Sequence, residues 1–269
     1  MSWPMTVKTL RDLRWTSFWY ALGLVIYIVF LSSFYPTLER QREQFEQLFQ
    51  QYPELLFRVF GIDPERAMMT SFAGFMHAET FGFIWPATAL IFVVLSGAAV
   101  VAQEIERGTA EFWLSVPVSR ARLLLSKQVA LLTSILFVVL TSIAALALGS
   151  QAFGGELTAR GLAQLTIALT CFLVSFAGLA TLASAMASER SKAAGLVGSL
   201  ILLMYLAWVV AGLTEEVRWV RYLSLLTAYD PLAAMLGELP WYKPALHLIV
   251  GLGAGTGALI VFTRRDVVS

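Results

Sequence analysis

Long apolar runs alternate with short polar ones along most of this chain. A helix needs about 20 mainly apolar residues to cross a bilayer. Six stretches meet that length: Ser17–Tyr35, Phe81–Ala102, Gln128–Gly149, Leu162–Ala187, Ala193–Leu213 and Ala245–Phe262. The pattern predicts an all-α membrane protein with six transmembrane helices. Pro86 is expected to kink the second span or to end its first turns.

The polar runs predict elements of their own. WPMTVKTLRDLRW (3–15) reads as a short interfacial helix, with Val7, Leu10 and Leu13 on one side and Lys8, Arg11 and Arg14 free to meet anionic headgroups. Trp15, Trp19 and Tyr20 then mark the membrane boundary. The loop 37–78 places Leu38, Phe45, Leu48 and Phe49 on one helical face. Asp63-Pro64-Glu65 there reads as a cap, a first-turn proline and a first-turn acid. In the loop 214–243, Asp230-Pro231 caps another short helix that should end near Gly237. Both loops read as short interfacial helices on the outer leaflet.

Six spans put both termini on one side, and positive charge selects it. That side holds 11 Lys/Arg and 6 Asp/Glu, a balance of +5; the other holds 8 and 12, a balance of −4. Both termini are therefore expected in the cytoplasm, with SERSK (188–192) and TRRD (263–266) the strongest short-loop markers. At 58% hydrophobic and 14% charged, 269 residues carry more apolar surface than one soluble core can bury. The single cysteine, Cys171, excludes an intrachain disulfide and reads as a small core residue. The N-terminus does not read as a cleavable signal.

Familiar catalytic devices are missing. No G-x-x-x-x-G-K-[ST] phosphate loop occurs. GLGAGTG (251–257) lies inside the sixth span, where Gly251/Gly255 and Gly253/Gly257 read as close helix-packing pairs. His77 and His247 read as interfacial hydrogen-bonding residues rather than ligands, and Glu215-Glu216 as a solvated pair. Intramembrane ionisable groups are almost absent, which counts against an ion-coupled carrier. The spans hold hydroxyl and aromatic residues instead. Of these, Tyr27, Thr88, Ser96, Tyr205 and Trp208 are candidates for a substrate path, the alternative for each being helix–helix hydrogen bonding.

One segment breaks the apolar pattern. EIERGTAEFWLSVPVSRARLLLSK (104–127) carries seven charges between two spans. Gly108 reads as the end of the second helix, and Thr109 as the cap of a helix with Glu111 in its first turn. Pro117 limits that helix to about two turns. Ser119 can cap the next, while Arg120, Arg122 and Lys127 hold the boundary of the third span. So short a helix is marginal alone, so Phe112, Trp113 and Leu114 must rest on something. Lipid headgroups and the cleft of a soluble partner satisfy that equally.

Gln103-Glu104-Ile105-Glu106-Arg107-Gly108-Thr109, followed by Ser115-Val116-Pro117-Val118-Ser119-Arg120 and Lys127, resembles the signature of ATP-binding cassette permeases of the type-2 export class. PELLFRVFGI (53–62) is similar to the segment such permeases carry before the second span. The resemblance implies one permease domain over 1–269, with a coupling-helix loop at about 103–127 seated in a groove of an ATPase subunit. Carried over residue by residue, Glu104 and Glu106 end the second helix and Gly108-Thr109 make the turn. Glu111, Phe112 and Leu114 then face the ATPase, and Pro117 and Arg120 fix the return. It also implies a second permease copy, joined through the first and fifth spans, and a separate chain binding ATP and magnesium. This chain would hold no cofactor, catalyse nothing and bind no nucleic acid. The function expected is that of the transmembrane subunit of an ATP-driven exporter in the plasma (inner) membrane. The alternative is a non-transporting scaffold or sensor that recruits a cytoplasmic partner through the same loop.

Overall fold

A computed structural model describes residues 2–40, 71–109, 118–213 and 215–265. Among these residues the fold is all helical, without strands. The helices are α1 (Trp3–Ser32), α2 (Tyr35–Arg40), α3 (Phe72–Met76), α4 (Ile84–Ala98), α5 (Ala102–Glu106), α6 (Arg120–Ala152), α7 (Ala159–Met186), α8 (Arg190–Leu213), α9 (Pro231–Met235) and α10 (Tyr242–Arg264). A π-helical turn, His77–Phe81, follows α3, and two 3-10 helices, Glu215–Leu223 and Leu225–Ala228, precede α9. Five helices are long and apolar enough to cross a membrane. The bent pair Phe72–Phe81 and Ile84–Ala98 makes a sixth span if taken as one.

α7 is the centre of the bundle. It packs on α4, α6, α8 and most extensively on α10. Glycine permits the last contact. A Cβ on Gly178 would lie 2.2 Å from the Gly251 carbonyl oxygen, and one on Gly251 would lie 2.6 Å from that of Val174. The backbones therefore touch, the arrangement expected of small-residue helix pairs. Gly253, one of the four paired glycines, faces open space instead. His247 crosses the same interface, its Nδ1 3.1 Å from the Ser175 hydroxyl. That hydroxyl donates to the Phe172 carbonyl, which leaves the imidazole as donor to its oxygen. His247 is thus a hydrogen-bonding residue as expected, and a buried one that links α7 to α10. α1 lies along α6.

Two predicted boundaries differ from the structure. The stretch 3–15 and the first span form one unbroken helix, Trp3–Ser32, because neither proline nor glycine interrupts the backbone where hydropathy changes. The second span is broken twice. At its first break Pro86 has no N–H for the Gly82 carbonyl and its ring crowds that carbonyl. The chain bends by 42° between Phe81 and Ile84. The Phe81 carbonyl left at the bend accepts from the Tyr229 hydroxyl, 2.8 Å away. Burial pushes that phenol well above its ordinary pKa, keeping it a neutral donor.

The loop before α10 follows its local signals. Asp230 Oδ1 accepts from the Ala233 N–H at 3.1 Å, and Pro231 is the first helical residue. Gly237, at φ 79°, ends α9. Asp230 also pairs with Lys243 at 2.6 Å, tying the loop to α10. The helix predicted over Phe45–Phe49, the Asp63-Pro64-Glu65 cap and PELLFRVFGI lie outside the described residues.

Candidate functional site

Both chain ends meet on one face of the bundle. The Ser2 N–H donates to Ser126 Oγ at 2.7 Å, and the Arg120 guanidinium donates to the Arg265 carbonyl at 2.6 Å. The same face carries the second break of the second span, at Ala99–Val101, and the base of the charged segment.

That break is held by side chains from other helices. It frees the N–H groups of Val101 and Ala102, and both donate to Ser184 Oγ of α7 at 2.9 Å. The Ser184 hydroxyl donates in turn to the Ala98 carbonyl at 2.7 Å. The Val100 carbonyl accepts from Lys127 Nζ of α6, also at 2.7 Å. Close approach of α4 to α7 requires Gly97, where a Cβ would stand 2.6 Å from that of Ala180. Every backbone group named at the break therefore has a partner, as burial demands.

α5 leads from the break to the turn. Gly108 sits at φ 67°, its N–H bonds to the Ile105 carbonyl, and the Thr109 N–H bonds to the Glu104 carbonyl, both at 3.0 Å. This paired closure is the glycine-ended helix stop expected of Gly108. The Thr109 hydroxyl donates back to the Glu104 carboxylate and carbonyl. Its described bonds thus close α5. Ser119 does cap α6, its oxygen accepting from the Arg122 N–H at 3.4 Å.

Glu104 and Glu106 do more than end a helix. Glu104 Oε1 lies 3.2 Å from Lys127 Nζ. Lys127 is 5% exposed, so its ammonium is satisfied by that carboxylate together with the Val100 carbonyl. Glu106 accepts from the backbone N–H of Arg190 at 3.0 Å, placing a carboxylate at the N-terminus of α8. Arg265 closes the other side. Its guanidinium donates to the carbonyls of Ala185 and Ala187 at 2.9 and 2.8 Å and to Ser188 Oγ at 2.7 Å. The base of the segment is thus joined to α6, α7, α8 and the end of α10.

Of the nine residues expected to couple to a partner, Glu104, Glu106, Gly108, Thr109 and Arg120 gather here. Glu111, Phe112, Leu114 and Pro117 lie outside the described residues. The signature includes Lys127, but it does not mark Ser184, Arg190 or Arg265. The last two had been counted only as charges, and Ser184 sits in a run of small residues with no local mark.

The candidate path residues do not gather in one place. Ser96 lines a cavity of about 710 Å3 on this face, between α1, the end of α4, α6 and Arg190. Tyr27 donates to the Glu79 carbonyl at 2.9 Å, on the other side of the bundle. Tyr205 stacks on Trp208, ring centroids 6.1 Å apart, and its ring also lies 6.2 Å from that of Phe83. Thr88 is half-buried in α4.

A model of the ABC-2 family transporter proteins matches residues 7–254. No curated protein matches the chain.

Proposed function

The chain belongs to the ABC-2 family of transporter proteins, and from that membership as a membrane transport subunit we propose that it is the transmembrane half of an ATP-driven exporter. Separate ATPase subunits, holding ATP and magnesium, dock on the loop that begins at Gln103. The observation that carries this reading is the anchoring of that loop's base. Glu104, Glu106 and Arg120 reach α6, α8 and the end of α10 through three polar contacts. A push on a loop so attached displaces several spans together, whereas an unattached loop would absorb it.

In this reading residues 1–269 form one permease domain. Glu111, Phe112 and Leu114 face the ATPase, and Pro117 and Arg120 return the chain to the bilayer. Both termini face the cytoplasm of the plasma membrane, as the balance of +5 against −4 favours. Two copies meet through α1 and α8. These two leave large apolar side chains uncovered, Ile26 at 59% and Leu203 at 63% exposed among them. The uncharged interior suits an amphipathic or lipid-like cargo.

The test is copurification of the chain with its ATPase and measurement of stimulated hydrolysis. The double variant Glu106→Arg, Phe112→Ala is expected to lose both. Undiminished copurification and hydrolysis in that variant would sink the coupling assignment. Reconstituted ATP-dependent movement of cargo separates transport from a recruiting scaffold.

A further inference from the structure

We propose that the cavity beside the helix break holds an anionic phospholipid headgroup, with its acyl chains lying against α1 and α4. The inference rests on the chain being a membrane protein, and not on its coupling to an ATPase.

The cavity is amphipathic. Its about 710 Å3 fall within the usual about 300–1,000 Å3 of small-molecule sites. Leu13, Tyr20, Phe92, Leu95 and Leu131 form its apolar wall. The polar wall carries Lys8, Arg107, Lys127 and Arg190 against Asp12 and Glu104, four cations and two carboxylates, for a balance of +2. A smaller cavity of about 350 Å3 shares Leu95, Gln103, Arg107 and Arg190 and extends the space towards Ser191 and Ala194.

Arg190 is the group that points to a ligand. Its backbone N–H is bound by Glu106, and one terminal guanidinium nitrogen lies 3.3 Å from the Leu95 carbonyl. Its Nε is buried and has no hydrogen-bond partner. A buried guanidinium N–H without an acceptor is costly, and a phosphate oxygen is the acceptor its planar fork suits best. The depth also fits a lipid. Asp12, Leu13, Thr16 and Tyr20 line the cavity, and the intervening Trp15 and Trp19 are 59% and 63% exposed. Exposed tryptophans at that level of a spanning helix mark the headgroup region. An apolar wall continuous with the bilayer favours a lipid over a free ion, since a free ion gains nothing from Phe92 or Leu131.

The test titrates the purified chain in neutral detergent with phosphatidylglycerol, phosphatidylcholine or inorganic phosphate, and follows the thermal unfolding midpoint. Phosphatidylglycerol should half-saturate the shift at a concentration about tenfold below phosphatidylcholine: both lipids offer a phosphate to Arg190, but the choline cation meets a wall whose balance is +2. Arg190→Gln should weaken phosphatidylglycerol about tenfold, the loss of one charge-assisted hydrogen bond. Arg107→Gln, at the exposed rim, should weaken it by about threefold and serves if Arg190→Gln fails to fold. Lys192→Gln, two residues on and outside both cavities, should change nothing. Equal response to the two lipids, or unchanged affinity in both arginine variants, overturns the proposal. So does a loss in Lys192→Gln matching that in Arg190→Gln, which would mean diffuse surface attraction. A full shift from inorganic phosphate alone would make the ligand a free anion and overturn the lipid assignment.

Discussion

Replacing Ser184 by alanine removes one oxygen that serves three backbone groups. Two N–H groups, of Val101 and Ala102, lose their acceptor at 2.9 Å, and the Ala98 carbonyl loses a donor at 2.7 Å. Ser184, Ala98 and Ala102 are 0% exposed and Val101 is 5% exposed, so water cannot take over. An orphaned buried donor costs about 1–3 kcal/mol. Measured hydrogen bonds between membrane helices are weaker, about 0.6 kcal/mol on average and about 1.7 at most. Two lost donors and one weakened acceptor therefore total about 2–3 kcal/mol. For a chain of this size that lowers the unfolding midpoint by roughly 5–10 °C. The assay is thermal unfolding in one fixed detergent, followed by tryptophan fluorescence. Hydrogen exchange over 100–106 should also quicken, because α5 loses its anchor. Thr133→Ala is the comparison. Thr133 is exposed on α6 and makes a single bond to the Val129 carbonyl at 2.9 Å. Its loss should cost no more than about 0.5 kcal/mol. A Ser184→Ala midpoint indistinguishable from that of Thr133→Ala would refute the assignment of Ser184 as the clasp of the break.

Further substitutions probe other contacts. Gly251→Val should abolish the folded bundle or lower its midpoint beyond the Ser184 effect, because its Cβ would meet the Val174 carbonyl oxygen at 2.6 Å; Gly253→Ala, facing open space, should melt with the parent chain. Lys127→Met should destabilise by about 1–3 kcal/mol, since it leaves the Val100 carbonyl unpaired in a buried site. Glu104→Gln should cost about 1 kcal/mol or less, because that partner is 25% exposed and its amide oxygen still accepts from Lys127. Paired thermal scans decide the order, and equal midpoints would contradict it. Arg265→Gln removes the donors to Ala185 and Ala187 and should raise hydrogen exchange across 183–192, with protection at Tyr229 and Phe81 unchanged.

The elements set by near neighbours were legible along the chain. Gly108 stops α5, Ser119 caps α6 and Asp230-Pro231 starts α9, each through bonds spanning a few residues. Five of the six spans, and the approximate position of the bent pair that makes the sixth, followed from apolar length, which a bilayer measures directly. Hydropathy divided the first helix in two, but a change in side-chain polarity at Trp15 does not interrupt a backbone that stays helical from Trp3 to Ser32. Pro86 announced the first break of the second span, whereas the second break, at Ala99–Val101, has no proline to mark it.

What the tertiary structure alone decided is which polar group meets which. Ser184 reaches a backbone 83 residues away, Glu106 one 84 away, and Arg265 one 80 away. Local periodicity cannot carry that information here. In water an apolar stripe tells which face of a helix is covered; in a bilayer lipid and a neighbouring helix are equally apolar, so both faces read alike. Sequence alone therefore determined that the chain crosses a membrane and where its charged segment lies. The attachment of that segment to three other helices arises only when packing buries the break and each freed backbone group must find a partner.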